Sequence, residues 1–205
     1  MRMEDHVLYN NKAEVCGKVA SECVFNHRLY GEEFYTLMLE VPRLSQSSDI
    51  IPVTVSGRLS PHMYAVGEWI SIIGQIRSYN KYIEGSNRLV LTLFARSIGE
   101  GSVPVNHIYL DGYICKPPVY RHTPYGREIA DLLLAVNRSY RKSDYIPCIA
   151  WSRNARYAAD LSVGERIVIE GRAQSREYDK LLPDGTKITR TAYEISIGIM
   201  EKAPE

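Results

Sequence analysis

The sequence predicts an all-β protein of two tandem five-stranded Greek-key barrels, each with one short helix. Three observations carry this: a repeat at constant spacing, strand-length apolar patterns in a fixed order, and turn residues between them. Gly17, Gly31, Ile51, Pro52 and Arg58 return 95 positions later as Gly112, Gly126, Ile146, Pro147 and Arg153. Phe34, Leu37, Leu39 and Val41 return at the same offset as Ile129, Leu132, Leu134 and Val136. Val66-Gly67-Glu68 and Gly74 return at an offset of 97, as Val163-Gly164-Glu165 and Gly171. A register held this long means one fold used twice. About 100 residues per copy are enough for one buried core. The expected division is residues 1–98, a linker at 99–104, and residues 105–200.

The elements of the second copy follow in order. Asn106 to Ile114 alternates, with Ile108, Leu110 and Ile114 on one face and Tyr109, Asp111 and Tyr113 on the other. Glu128 to Arg138 supplies a second strand through Leu132, Leu134 and Val136, and Tyr145 to Trp151 a third. Residues 154–161 are Ala-rich, free of Gly and Pro, and read as the one helix. Arg166 to Tyr178 and Lys187 to Ile197 form a hairpin around Pro183-Asp184-Gly185. Three strands, a helix and two strands is the order of the OB-fold.

The first copy is an abbreviated version. Ser60 as N-cap and Pro61 at the first helical position predict its helix. Its last hairpin turns near Glu84-Gly85-Ser86-Asn87 and is five residues shorter, since Arg88 matches Arg190. Gly99-Glu100-Gly101-Ser102 reads as a connection with some freedom to hinge.

Absences narrow the function. There is no Gly-Lys phosphate loop, no HExxH and no GxSxG, and the five histidines are scattered, so no enzyme is expected. The four cysteines form no CxxC pair, which argues for reduced structural thiols with neither metal nor cofactor. Residues 1–6 show no apolar signal segment, and no run of about 18 apolar residues occurs, so a cytoplasmic protein without a membrane partner is expected. Net charge is only +1, so any nucleic-acid surface must be local.

Such a surface is legible in the second copy. Tyr145, Pro147, Ile149 and Trp151 share one side of the third strand, opposite Ile146, Cys148 and Ala150. Arg172, Gln174, Arg176 and Tyr178 share one side of the fourth, opposite Ile167, Ile169 and Gly171. Arg138, Tyr140, Arg141, Lys142, Arg153 and Arg156 surround them, with Asp144 the single acid from Arg138 to Arg156. Lys187 and Arg190 complete the candidate set on the last hairpin. Rings stack on exposed bases while cations follow the phosphates of a single strand. A solvated basic loop with Trp151 in the core fits the same pattern.

Residues 105–200 resemble a known family, the bacterial single-stranded DNA-binding proteins. The match runs through Val105-Asn106-x-Ile108-x-Leu110-x-Gly112, Arg121-x-Thr123-Pro124-x-Gly126 and Leu134-Ala135-Val136-Asn137. It resumes at Ile149-Ala150-Trp151-x-Arg153, Val163-Gly164, Ile169-Glu170-Gly171-Arg172 and Asp184-Gly185-Thr186. The resemblance implies an OB-fold that binds single-stranded DNA without reading its sequence, serving replication, recombination or repair. It implies four OB-folds per working unit, hence a homodimer of this two-barrel chain. It also places the base-stacking rings on Tyr140, Tyr145, Trp151 and Tyr178.

Departures from the family pattern are equally specific. Lys116-Pro117-Pro118 stands where the family carries Asp-Pro-Glu, and the acidic recruitment tail of cellular members is not expected after Glu205. In the first copy Ser45, Ile50 and Ser56 replace three of the four rings. Arg43, Arg58, Arg77, Tyr79, Lys81 and Tyr82 remain as a possible secondary binding set. A barrel kept for packing, with Ile50, Tyr64 or Tyr82 offered to a partner, is the competing expectation there. For the whole chain the rival is an OB-fold interaction and assembly module, since fold alone does not decide function.

Overall fold

The structure, a computed structural model, describes residues 9–83, 86–181 and 185–203. The first copy contains β1 (Asn11–Val19), β2 (Val24–Leu29), β3 (Glu32–Pro42), β4 (Ser48–Ser56), β5 (Trp69–Ile83) and β6 (Ser86–Glu100). The second contains β7 (Val105–Ile114), β8 (Val119–His122), β9 (Glu128–Arg138), β10 (Lys142–Trp151), β11 (Arg166–Leu181) and β12 (Lys187–Lys202). All join one sheet in the order β2-β3-β4-β6-β5-β1-β7-β11-β12-β10-β9-β8. The extra pairings β1–β3 and β7–β9 close each half into a five-stranded barrel, with the short β2 and β8 added outside. Each circuit holds one parallel contact, β4 with β6 and β10 with β12, so each barrel is the expected Greek-key OB-fold.

Strand alternation fills the two interiors. Leu37, Leu39, Ile72, Ile76 and Leu93 are buried in the first, and Leu134, Ile146, Ile167 and Ile169 in the second. Each such side chain contributes about 1.5–3 kcal/mol relative to exposure. The repeated glycines have two causes. Gly31 and Gly126 turn the chain at φ +81° and +74°, where a side chain would be strained. At Gly17 and Gly112 a Cβ would run into the carbonyl oxygens of Glu40 and Ala135 on the crossing strand. Gly112→Ala should therefore destabilise the fold by about 1–3 kcal/mol, the usual cost of overpacking, as read from the midpoint of a urea melt.

The helices depart from the symmetric expectation. The second copy forms α1 (Arg153–Ala159), which seats Ala155 and Ala158 against the barrel. The first forms two single 3-10 turns, Gly57–Leu59 and Pro61–Met63, instead of an α-helix. Ser60 does not cap. It adopts φ 49° and ψ 54°, a left-handed conformation that breaks a right-handed helix, and its side chain makes no capping bond. Ser56 takes that role one turn earlier, accepting from Arg58 N at 3.2 Å. The two turn tips, Glu84-Gly85 and Pro183-Asp184, lie outside the described residues.

The hinge expected at residues 99–102 is overridden by pairing between the barrels. β6 continues through Gly99 to Glu100, and β1 pairs antiparallel with β7 from Asn11↔Leu110 to Cys16↔Val105. In that ladder Ala13 faces Ile108, its own counterpart in the repeat, so an internal pseudo-twofold axis passes between them. Two buried carboxylates, Asp49 and Asp144, clasp the barrels on either side of this axis. Asp49 accepts from Arg43 Nε at 2.7 Å on its own barrel, and from Arg172 Nη1 and Ser175 N, both at 2.9 Å, on the other. Asp144 accepts from Arg77 Nη1 at 3.0 Å and Ser78 N at 2.8 Å, with Arg138 Nε 3.3 Å away. Ile50 N donates to Ser175 Oγ and Tyr145 N to Ser78 Oγ, repeating the symmetry. Ile50 therefore sits half-buried in the seam and Tyr64 packs on the core, while Tyr82 stands exposed.

Candidate nucleic-acid interface

The candidate surface is built where β9 turns into β10. Tyr140 and Arg141 take consecutive left-handed conformations, φ 62° and 53°, which thrust the Tyr140 ring into solvent at 94% exposure. Backbone held this way by non-glycine residues costs of order 1–3 kcal/mol and tends to occur at functional sites. Tyr145 is 47% exposed and Trp151 half-buried on the outward side of β10. Six residues of strand separate them by about 20 Å. Ile149 between them is buried yet lies outside the core cluster, a covered apolar step on the outer face. Ser152, at φ 50°, redirects the chain after Trp151 and leaves Arg153 exposed at the start of α1.

Most of the predicted cations fall into three groups. Arg141, Lys142 and Arg153 are exposed and make no ion pair among the described residues. Arg156, Arg176 and Lys187 are held loosely at the surface, by Glu128 at 3.7 Å, Glu194 at 3.6 Å and Asp179 at 2.8 Å. The pairs of Arg156 and Lys187 are largely exposed and contribute little, while the Glu194 partner of Arg176 is buried. Arg138 and Arg172, with Arg43 and Arg77 of the first copy, grip the buried carboxylates of the clasps. Burial disfavours charge in this seam: it pushes the Asp144 carboxyl up and the Arg77 guanidinium down from their ordinary values. The sequence offered all four arginines as candidate cations, but only the three-dimensional pairing shows what they hold.

The last hairpin carries the fourth ring. Tyr178 lies opposite Arg190 in the β11–β12 ladder, with the Arg176 guanidinium 5.8 Å from its ring centre. Tyr178, Arg190, Tyr193 and Pro147 line a groove of about 560 Å³, whose far wall is Arg88 and Leu89 of the first barrel. Tyr193 and Arg88 were missed by sequence reasoning. Tyr193 alternates out of phase with Tyr178, and Arg88 belongs to the other repeat.

The first barrel presents a different surface. Ser56, which replaces Trp151, donates to Glu32 at 2.5 Å, and Arg58 pairs with the same carboxylate at 3.1 Å. Neighbouring Glu33 is held ionised by the Tyr35 hydroxyl and Arg28. At this end of the first barrel Glu32 and Glu33 are balanced by Arg58 and Arg28. Arg153, at the matching end of the second, makes no ion pair among the described residues. Tyr79, Lys81 and Tyr82 are exposed farther along β5. Among the described residues no helix is long and apolar enough to cross a membrane.

Residues 105–201 match the single-strand binding protein family. The chain is 35% identical over 91 residues to single-stranded DNA-binding protein 2 of Listeria innocua, covering 41% of this chain and 56% of that protein. It is 37% identical over 82 residues to single-stranded DNA-binding protein A of Bacillus subtilis, covering 37% and 48%. The chain thus spans about half the length of the curated relatives it matches. The wild-type single-stranded DNA binding protein of Thermus aquaticus superposes with a TM-score of 0.74 at 19% identity. That likeness covers 95% of this chain and 93% of the other, so it extends over both barrels and shows the shared fold.

Proposed function

We propose that this chain, whose second barrel matches the single-strand binding protein family, binds single-stranded DNA with little sequence preference and without catalysis. The observation that carries the reading is the β9–β10 corner. There the exposed Tyr140 and Tyr145 rings stand beside Arg141 and Lys142, cations without an ion pair among the described residues. Rings in that setting stack on any base, and the cations follow the backbone. Serving replication, recombination or repair is the role this activity would fill.

Binding should weaken steeply with salt. For a single strand the log–log slope is about −0.7 per phosphate neutralised. Titration of the chain with oligothymidylate and with an equal-length duplex, over a series of salt concentrations, tests the proposal. The expected result is strong, salt-dependent binding of the single strand only. Equal affinity for duplex, or an affinity indifferent to salt, would overturn it. Ser56→Ala, at the place matching Trp151, should leave single-strand affinity within about twofold, because Ser56 is turned toward Glu32 rather than outward.

We infer further that two chains pair into a unit of four barrels. Each chain already joins two barrels about an internal pseudo-twofold axis, and closed twofold pairing is the commonest arrangement of homo-oligomers. Two second-copy faces on one assembly would also gain by multivalency. Sedimentation at micromolar concentration should give twice the chain mass. A monomer, with and without DNA, would contradict this arrangement.

A further inference from the structure

We propose that the first barrel carries its own base-binding groove, built from rings at positions other than those of the second barrel. The groove has a volume of about 540 Å³, within the range of ligand sites, and runs along β5 from Ser78 to Lys81. Its apolar wall is a cluster of three rings. His27 from β2 stacks on Phe34 of β3, with centroids 4.9 Å apart and planes 11° from parallel. Phe94 from β6 leans on the same Phe34 at 6.0 Å. His27 and Phe94 line the groove, and Tyr79, 42% exposed, lines it from β5.

The charge of the groove points to a nucleic acid. Arg77 and Lys81 line it together with Arg138, which reaches in from the second barrel, and among the described residues no carboxylate lines it. Two acids of this barrel, Glu32 and Glu33, lie at the Ser56 end, where Arg58, Arg28 and Tyr35 occupy them. Asn26 and Asn80 add amides able to meet a base edge without demanding one base. Arg77 and Arg138 share the single carboxylate Asp144, and Lys81 adds a further exposed cation. The groove therefore keeps a net positive charge beside its flat rings and amides, which suits a nucleotide of an extended strand.

Continuity gives the path. Tyr145 N donates to Ser78 Oγ at 2.7 Å, so the exposed Tyr145 of the second barrel adjoins the mouth of the groove. Arg138 both holds the clasp and lines the groove. A strand stacked on Tyr140 and Tyr145 can therefore continue past Arg138 into the first barrel on the same side of the molecule. Aligning the repeats hides this site, because Ser45, Ile50 and Ser56 report only lost rings. The replacements come from β2 and β6 rather than β4.

This inference rests on the single-strand reading, and its test separates the two. The full chain carrying His27→Ala and Tyr79→Ala is compared with the unmodified chain, using oligothymidylates of about 8 and about 30 nucleotides, since one OB-fold covers roughly 4–16. Both residues are exposed, so the fold should stand. The expected result is about a 10-fold or greater loss of affinity for the long strand, with the short strand bound as before by the second barrel. In parallel, a long strand carrying 5-iododeoxyuridine should photo-crosslink to Tyr79 or Phe94 of the unmodified chain. If the long strand binds both proteins equally and crosslinks fall only on the second barrel, the groove is overturned and the single-strand reading stands. If the unmodified chain binds neither oligonucleotide, both fall.

Discussion

Asp144→Ala should cost about 3 kcal/mol of unfolding free energy, because it strands the charges that meet on that carboxylate. The side chain is fully buried and accepts from Ser78 N and Arg77 of the first barrel, with Arg138 of its own barrel beside it. Removing one partner of such a pair costs about 3–5 kcal/mol. The lower end applies because Arg77 and Arg138 keep 19% and 32% of their side chains exposed, and water reaches them when the carboxylate is gone. The pull of the N–H and the two guanidiniums is opposed by burial, which raises the carboxyl's pKa. Such a group contributes more to the relative placement of the barrels than to net stability. Urea melts should show a lower midpoint with an unchanged slope. Asp49→Ala, at the symmetry-related clasp, should behave alike. A loss below about 1 kcal/mol in both would mean that the clasps do not hold the barrels.

Trp151→Ala combined with Tyr178→Ala should weaken binding of a single strand by about 100-fold or more, since each base–ring stack contributes about 1–3 kcal/mol. Both rings lie partly at the surface, and neither belongs to the core cluster, so the melting behaviour should change little. The two stand on different strands, Trp151 at the end of β10 and Tyr178 on β11, so their effects should nearly add. Equilibrium binding beside a thermal melt separates loss of contact from loss of fold. An affinity within threefold of the unmodified chain would remove these rings from the interface.

The barrels were legible in the sequence because each rests on short-range rules. Period-two alternation located Glu128–Arg138 to the residue, and the repeated glycines mark places where only a missing Cβ lets strands cross or turn. What the sequence hid depends on distant partners. Asp144 read as a lone acid in a basic loop, yet it is the buried anchor of two arginines, one of them 67 positions away. Ser60 looked like a helix cap by local chemistry, but the short path between β4 and β5 bends it left-handed and passes capping to Ser56. The free hinge read from the glycines at 99 and 101 vanished because β1 and β7 pair edge to edge. His27 and Phe94, far apart in sequence, share a ring cluster only through Phe34.

The central claim is that the outer face of the second barrel stacks on bases, and Trp151 reports on it directly. The other tryptophan, Trp69, lies on β5 with the Lys18 ammonium 5.7 Å from its ring centre, so Trp69→Phe leaves a single reporter. In that variant, titration with oligothymidylate should quench the Trp151 emission to a saturating plateau, and added salt should reverse the quench. Emission that stays constant while binding is measured independently would contradict stacking at Trp151 and, with it, the assignment of the face.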